Sequence, residues 1–153
     1  MSKDQYTGLE IAVIGMDGRF PGAASVAELW DLLKEGREGI STFEKDELIA
    51  GGIPKQLVDH PNFVGAKGII GEIENFDNEF FGYTAKEAQL LDPQVRIFLE
   101  CAWATLEDAG YDPHSYRKKI GMFTGAYPNL YWTMGTYLSE TGGSFGDYAN
   151  KDL

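Results

Sequence analysis

The chain has 153 residues, is 43% hydrophobic and 24% charged, and carries a net charge of −11; that length suffices for one domain burying roughly 68–70% of its unfolded surface. The acidic balance argues against nucleic acid, which is bound through cations that displace counterions, and against an anionic membrane surface. No apolar run reaches the length of a bilayer span, and Met1-Ser2-Lys3-Asp4-Gln5 lacks a signal peptide's hydrophobic core, so cytoplasmic residence is the expectation.

Met1 to Leu9 is polar and reads as a flexible leader or the end of an upstream linker. Ile11 to Ile14 is a continuous apolar run, the pattern of a strand covered on both faces as in parallel sheets. The loop Gly15-Met16-Asp17-Gly18-Arg19-Phe20-Pro21-Gly22 then lies between that run and a helix, an order that invites a nucleotide-binding reading. Its spacing departs from G-x-G-x-x-G, and Pro21, Ala23 and Ala24 separate it from the helix start at Ser25, so a structural turn is favoured. Ser25 with Glu28 predicts a capping box, Val26, Leu29, Trp30 and Leu33 the buried face, and Gly36 the stop.

Gly51, Gly52, Pro54 and Pro61 break residues 37–65 into short helices and loops. Gly68 to Ile73 reads as a short strand or hairpin arm, and Thr84 with Glu87 as a second capping box opening a short helix. From Leu91 the signals agree closely. Asp92 can cap a helix with Pro93 at its first position. Val95, Phe98, Leu99, Ala102, Leu106 and Ala109 recur at three- and four-residue spacing, and Gly110 supplies a left-handed stop.

Arg117-Lys118-Lys119 is a dense cationic run, read as a solvated turn in preference to a docking point. Ile120 to Ala126 is a second buried strand, and two buried strands joined through helices fit a mainly parallel sheet with a right-handed connection. Tyr127 to Asn150 is rich in Gly, Tyr, Ser and Thr without a clean period, so it is either functional or held by something outside it. Its Tyr127, Tyr131, Trp132 and Tyr137 could line a tunnel or a subunit contact, and Gly142-Gly143-Ser144 reads as flexible.

Few residues are equipped for chemistry. One cysteine gives neither a disulfide framework nor a zinc set. Cys101 falls mid-helix between Glu100 and Ala102 and reads as a packing residue rather than a nucleophile. His60 and His114 sit in proline turns as surface residues. Arg96 and Glu100 are four apart and can pair on the helix face, while Glu100, Glu107 and Asp108 read as a solvated or ion-paired edge rather than an acid–base pair.

As a string, Leu91 to Gly110 is more specific than as a helix. Asp92-Pro93-Gln94, Arg96, Glu100, Ala102-Trp103 and Leu106-Glu107-Asp108-Ala109-Gly110 resemble a signature of β-ketoacyl synthases, the condensing enzymes of polyketide and fatty acid synthesis. Ile11–Met16, Gly18–Gly22, Trp30, Leu33 and Gly36 resemble the opening of such a domain. Phe76-Asp77, Phe80-Phe81 and Lys86-Glu87-Ala88 resemble the lead into the signature, Ile120–Ala126 the strand after it, and Asn150–Leu153 the run before the catalytic half.

The resemblance implies an α/β fold, the N-terminal part of a thiolase-like layered α-β-α-β-α architecture, in the style of a modular polyketide synthase. It implies residues 1–9 as leader or linker end, and residues 10–153 as the N-terminal part of one ketosynthase domain whose catalytic half is absent. It implies decarboxylative Claisen condensation of acyl thioesters, with phosphopantetheine presented by an acyl carrier protein partner rather than a cofactor bound directly. A homodimer is expected for the intact parent. The family's nucleophilic Cys, in a small-residue turn, and its two histidines match no position here. No catalytic, cofactor-binding or metal residue is therefore assigned, and the chain by itself is expected to be inactive. The alternatives are a non-catalytic ketosynthase-like scaffold or partner-binding subunit, and an unrelated nucleotide-binding α/β domain.

Overall fold

A computed structural model describes residues 8–142; the readings placed on residues 1–7, Gly143, Ser144 and Asn150–Leu153 lie outside them. Helices and a small sheet make an α/β chain of two compact units. Among the described residues, one joins residues 8–71 with Cys101–Ser115, and the other joins Glu72–Glu100 with residues 116–142.

In the first unit, the Ser25 side chain accepts the Glu28 N–H and caps α1 (Val26–Lys34). The Glu28 carboxylate accepts from Ala24, one residue further back than a capping box would place it, at 2.8 Å. Gly36, at φ +63°, follows the helix as expected. The buried face differs from the expected one: Leu32 is 5% exposed, whereas Trp30 and Leu33 are exposed and Val26 and Leu29 are not buried. Leu32 and Leu33 are equal in hydropathy, and what selects Leu32 is the Pro21–Gly22 turn. Its Cδ1 lies 3.2 Å from where a Cβ on Gly22 would sit.

Downstream come β1 (Ile40–Thr42), α2 (Lys45–Ala50), α3 (Lys55–Val58) and β2 (Ala66–Gly68). Glu44 and Glu47 form a reciprocal capping box on α2 that the periodicity of the string does not reveal. Strands β1 and β2 pair antiparallel, with Ile40 opposite Gly68, Ser41 opposite Lys67 and Thr42 opposite Ala66. The strand expected at Gly68–Ile73 thus ends where it was expected to begin, and the chain turns through Glu72 at φ +55°. A side chain in the left-handed region costs roughly 1 kcal/mol or more, and glycine pays no such penalty. Glu72→Gly is therefore expected to stabilise the fold by about 0.5 kcal/mol, once the greater entropy of the unfolded glycine is set against the strain relieved. A lower denaturation midpoint than the parent's would refute this.

The two apolar runs expected as parallel strands are not strands. Ile11–Ile14 and Ile120–Ala126 pair with no strand among the described residues, and their side chains face outward, Ile11 at 93% and Phe123 at 99% exposure. A strand is defined by a neighbour's N–H and C=O groups, so apolar composition alone does not make one. The described sheet is two-stranded and antiparallel, not parallel.

In the second unit, Phe76, Phe80, Phe81 and Tyr83 cluster, with the Phe76 and Phe81 rings stacked at 5.1 Å. The Thr84–Glu87 box opens α4 (Ala85–Leu90) with both reciprocal bonds made. The Thr84 amide and hydroxyl, donating to the Glu87 carboxylate, hold its pKa below the usual glutamate value. Helix α5 (Pro93–Asp108) contributes residues to both units. Its most buried residue is Arg96, at 7% exposure, while Val95 of the expected apolar face is exposed.

The aperiodic segment after Tyr127 contains a helix, α6 (Leu130–Thr141), capped by the Asn129 side chain on the Trp132 N–H and closed by Gly142 at φ +61°. Gly135 and three threonines obscure its period. The hydroxyls of Thr133, Thr136 and Thr141 bond back to the carbonyls of Asn129, Trp132 and Tyr137, the four-residue back-bond that lets Thr sit inside a helix.

Candidate functional site

The densest set of specific contacts in the second unit surrounds the junction of α4 and α5. The Asp92 carboxylate accepts the Gln94 N–H at 2.8 Å, satisfying a first-turn amide while Pro93 removes another. That cap fixes the start of α5 and with it the directions of the side chains that follow. The Gln94 side-chain amide donates to the Tyr127 carbonyl at 3.0 Å. Two residues on, the Arg96 guanidinium lies over the Trp132 ring, 5.5 Å from its centroid, and Nη1 reaches the Glu74 carbonyl at 3.5 Å. The Trp132 indole N–H donates to the Leu90 carbonyl at 3.1 Å. Arg96 Nε is buried without a hydrogen-bond partner. The stretch Leu90–Arg96 thus holds three separate places in the chain, at Glu74, Tyr127 and Trp132.

Beside this junction Gln94, Tyr127, Pro128, Asn129, Leu130 and Tyr131 line a small cleft. Tyr127, Leu130 and Tyr131 are exposed, so the aromatic stretch presents apolar area to its surroundings. Trp132 is instead turned in toward Arg96 and Leu90, a role that the composition of the stretch does not disclose. The asparagine cap at Asn129 is the local signal by which α6, and with it the inward face of Trp132, could have been found.

The glycine loop of the first unit is occupied by packing. A Cβ on Gly15 would lie 2.5 Å from the Thr105 carbonyl oxygen and 2.8 Å from the Ala109 nitrogen, both backbone atoms at the C-terminal end of α5. The Met16 N–H donates to the Asp108 carboxylate at 2.9 Å, which gives that carboxylate a structural task. Phe20 and Ala23 pair across the turn, Gly22 takes φ +76°, and Gly39 abuts the Pro21 carbonyl too closely for any side chain. The Glu28 carboxylate already occupies the start of α1, where a phosphate would have to bind. The structural-turn reading accounts for every one of these contacts.

The residues weighed for chemistry are dispersed. Cys101 is half-buried in mid-α5, its carbonyl accepting from the Thr105 hydroxyl at 2.7 Å. His60 is an exposed turn residue whose Nδ1 accepts the Asn62 N–H at 3.2 Å. His114 is also exposed; its amide donates to the Asp112 carboxylate at 2.9 Å and its ring lies 5.7 Å from that of Trp103. The Ser115 hydroxyl and the His114 amide hold the Asp112 pKa below the ordinary aspartate value. Glu107 and Asp108 lie on the exposed edge expected of them, and Arg117, Lys118 and Lys119 are exposed. Among the described residues no group of three His, Cys, Asp or Glu side chains could hold a metal ion, and no helix is long and apolar enough to cross a membrane.

Comparison with known proteins gives this geometry a context. The model of the β-ketoacyl synthase N-terminal domain matches residues 9–150. The chain is 43% identical over 121 residues to a phenolphthiocerol/phthiocerol polyketide synthase of Mycobacterium tuberculosis, covering 79% of this chain and 8% of that protein. It is 40% identical over 106 residues to the polyketide synthase PksN of Bacillus subtilis, covering 69% of this chain and 2% of the relative. Ketosynthase twelve of the bacillaene polyketide synthase of Bacillus amyloliquefaciens shares its fold with a TM-score of 0.60 at 39% identity, over 65% of this chain and 18% of that one. The ketosynthase of module 1 of the bacillaene synthase from the same organism gives 0.55 at 44% identity, over 65% and 17%. The thiolase-like α/β fold expected from the sequence is thus borne out, and the chain spans less than a fifth of these solved chains.

Proposed function

This chain belongs to the β-ketoacyl synthase family, and we propose that residues 10–153 form the N-terminal part of one ketosynthase domain of a modular polyketide synthase, with residues 1–9 as leader or linker end. The observation that carries this reading is the family match across residues 9–150, with the Asp92-Pro93-Gln94 junction as its structural centre. The reaction is decarboxylative Claisen condensation. A cysteine thiolate takes an acyl group from a carrier's phosphopantetheine thiol by thioester exchange, releasing that thiol. A malonyl-type thioester then loses carbon dioxide, and its α-carbon attacks the acyl carbonyl, expelling the thiolate and leaving a β-ketoacyl thioester on the carrier. Thiolate nucleophile, oxyanion-stabilising N–H groups and histidines supply the catalysis.

Within this proposal none of those groups belongs to residues 1–153. These residues contribute packing: α5, the Gly15 turn and the α4–α5 junction. The partner is an acyl carrier protein domain, the intact protein works as a homodimer, and its compartment is the cytoplasm. The intact protein, given an acyl thioester and a malonyl thioester on a carrier, is expected to form the β-ketoacyl product, while the 153-residue chain alone forms none. Condensation by the isolated chain, or an intact protein that leaves both thioesters unchanged, would defeat the proposal.

A further inference from the structure

The geometry points to Arg96 as a positioning residue that acts through Trp132 to hold α6, and with it the Tyr127–Tyr131 wall of the cleft, against the α4–α5 junction. A buried guanidinium is costly unless its donors are used, and here Nε has no acceptor while Nη1 makes only a long bond to Glu74. Its hydrogen bonds therefore do not explain an arginine at this position. Its guanidinium packs on the Trp132 face. A desolvated cation over an indole is the strongest form of that contact, and Arg is suited to it by its flat, weakly hydrated head.

Trp132 is simultaneously fixed at its other end, because its indole N–H is bound to the carbonyl of Leu90, the last residue of α4. The ring cannot slide along the guanidinium without losing that bond. Gln94 holds the start of the same segment through the Tyr127 carbonyl. A further tie, Lys86 to Glu140 at 3.4 Å, joins exposed side chains and is worth little in water. Arg96 is thus the buried part of the attachment, and Trp132 the half-buried ring on which it packs. The inference rests on the ketosynthase reading only for its importance to activity, not for its geometry.

Hydrogen–deuterium exchange on the intact protein tests it independently of any condensation assay. Arg96→Met, which keeps an apolar stem, and Trp132→Leu, which keeps apolar bulk but neither the ring under the guanidinium nor the donor, are each expected to speed exchange of the amides of residues 130–141 by about tenfold. Exchange in α1 should stay unchanged. The double variant should be no faster than the faster single, because both remove one clasp. Arg96→Lys, which restores a cation without the flat head, should fall between parent and Arg96→Met. Unchanged α6 exchange in both single variants, independent multiplication of their effects, or equal acceleration in α1 would each overturn the assignment. Trp132→Leu, at a half-buried position, is expected to fold even where Arg96→Met does not, and unchanged exchange in α6 for that variant would by itself overturn the assignment.

Discussion

Gly15→Ala is expected to be strongly destabilising. The added Cβ would meet the Thr105 carbonyl oxygen at 2.5 Å, the Ala109 nitrogen at 2.8 Å and the Ala109 Cβ at 2.9 Å. Two of those are backbone atoms at the end of α5, so no rotamer change relieves the clash. The segment from Gly15 must move away from the helix and surrender the bond from Met16 to Asp108. Overpacking a core costs about 1–3 kcal/mol, occasionally more, and a contact against fixed backbone belongs at the upper end or beyond. Against a typical stability of roughly 5–15 kcal/mol, that removes a large fraction.

Gly135→Ala provides the contrast, since it lies inside α6 with nothing within 4 Å of an added Cβ. There, alanine is expected to stabilise the helix by about 1 kcal/mol through propensity alone. Equilibrium unfolding of the intact protein should move in opposite directions for the two variants. A Gly15→Ala protein as stable as its parent would show that the turn does not press on α5.

The second large effect concerns Cys101. In the intact protein, acyl transfer is expected to label a different cysteine, and Cys101→Ala is expected to leave the extent of acylation nearly untouched. Cys101 is half-buried in the middle of α5, away from the helix N-terminus that would stabilise a thiolate. The nucleophile of the proposed reaction needs that stabilisation, together with backbone N–H groups for the oxyanion. Peptide mapping by mass spectrometry distinguishes the sites outright. An acyl group found on Cys101, or acylation abolished by Cys101→Ala in a folded protein, would transfer the chemistry to α5 and undo the proposal that it lies outside these residues.

Helix ends were legible in the sequence because a cap is a bond between groups no more than a few residues apart. Ser25 on Glu28, Thr84 with Glu87, Asp92 before Pro93 and the glycine stops at Gly36 and Gly110 are all where the string alone places them. The candidate site was only half legible. Asp92-Pro93-Gln94 and Arg96 stood out as a string, but the string says nothing of what they hold: Tyr127 lies 33 residues from Gln94 and Trp132 lies 42 residues from Leu90.

Tertiary structure decided whatever depends on a distant partner. It turned Leu32 rather than Leu33 inward, because the Pro21–Gly22 turn lies against that side of α1. It left Ile11–Ile14 and Ile120–Ala126 unpaired among the described residues, because a strand exists only where a second backbone meets it. It made the threonine-rich run after Asn129 a helix, with the Trp132 ring packed under the Arg96 guanidinium. A cap is specified by its own neighbours. A buried face, a strand pair or a stacked arginine is specified by atoms that the local sequence does not contain, which is why caps such as those at Ser25, Thr84 and Asp92 are legible in the string and the second kind is not.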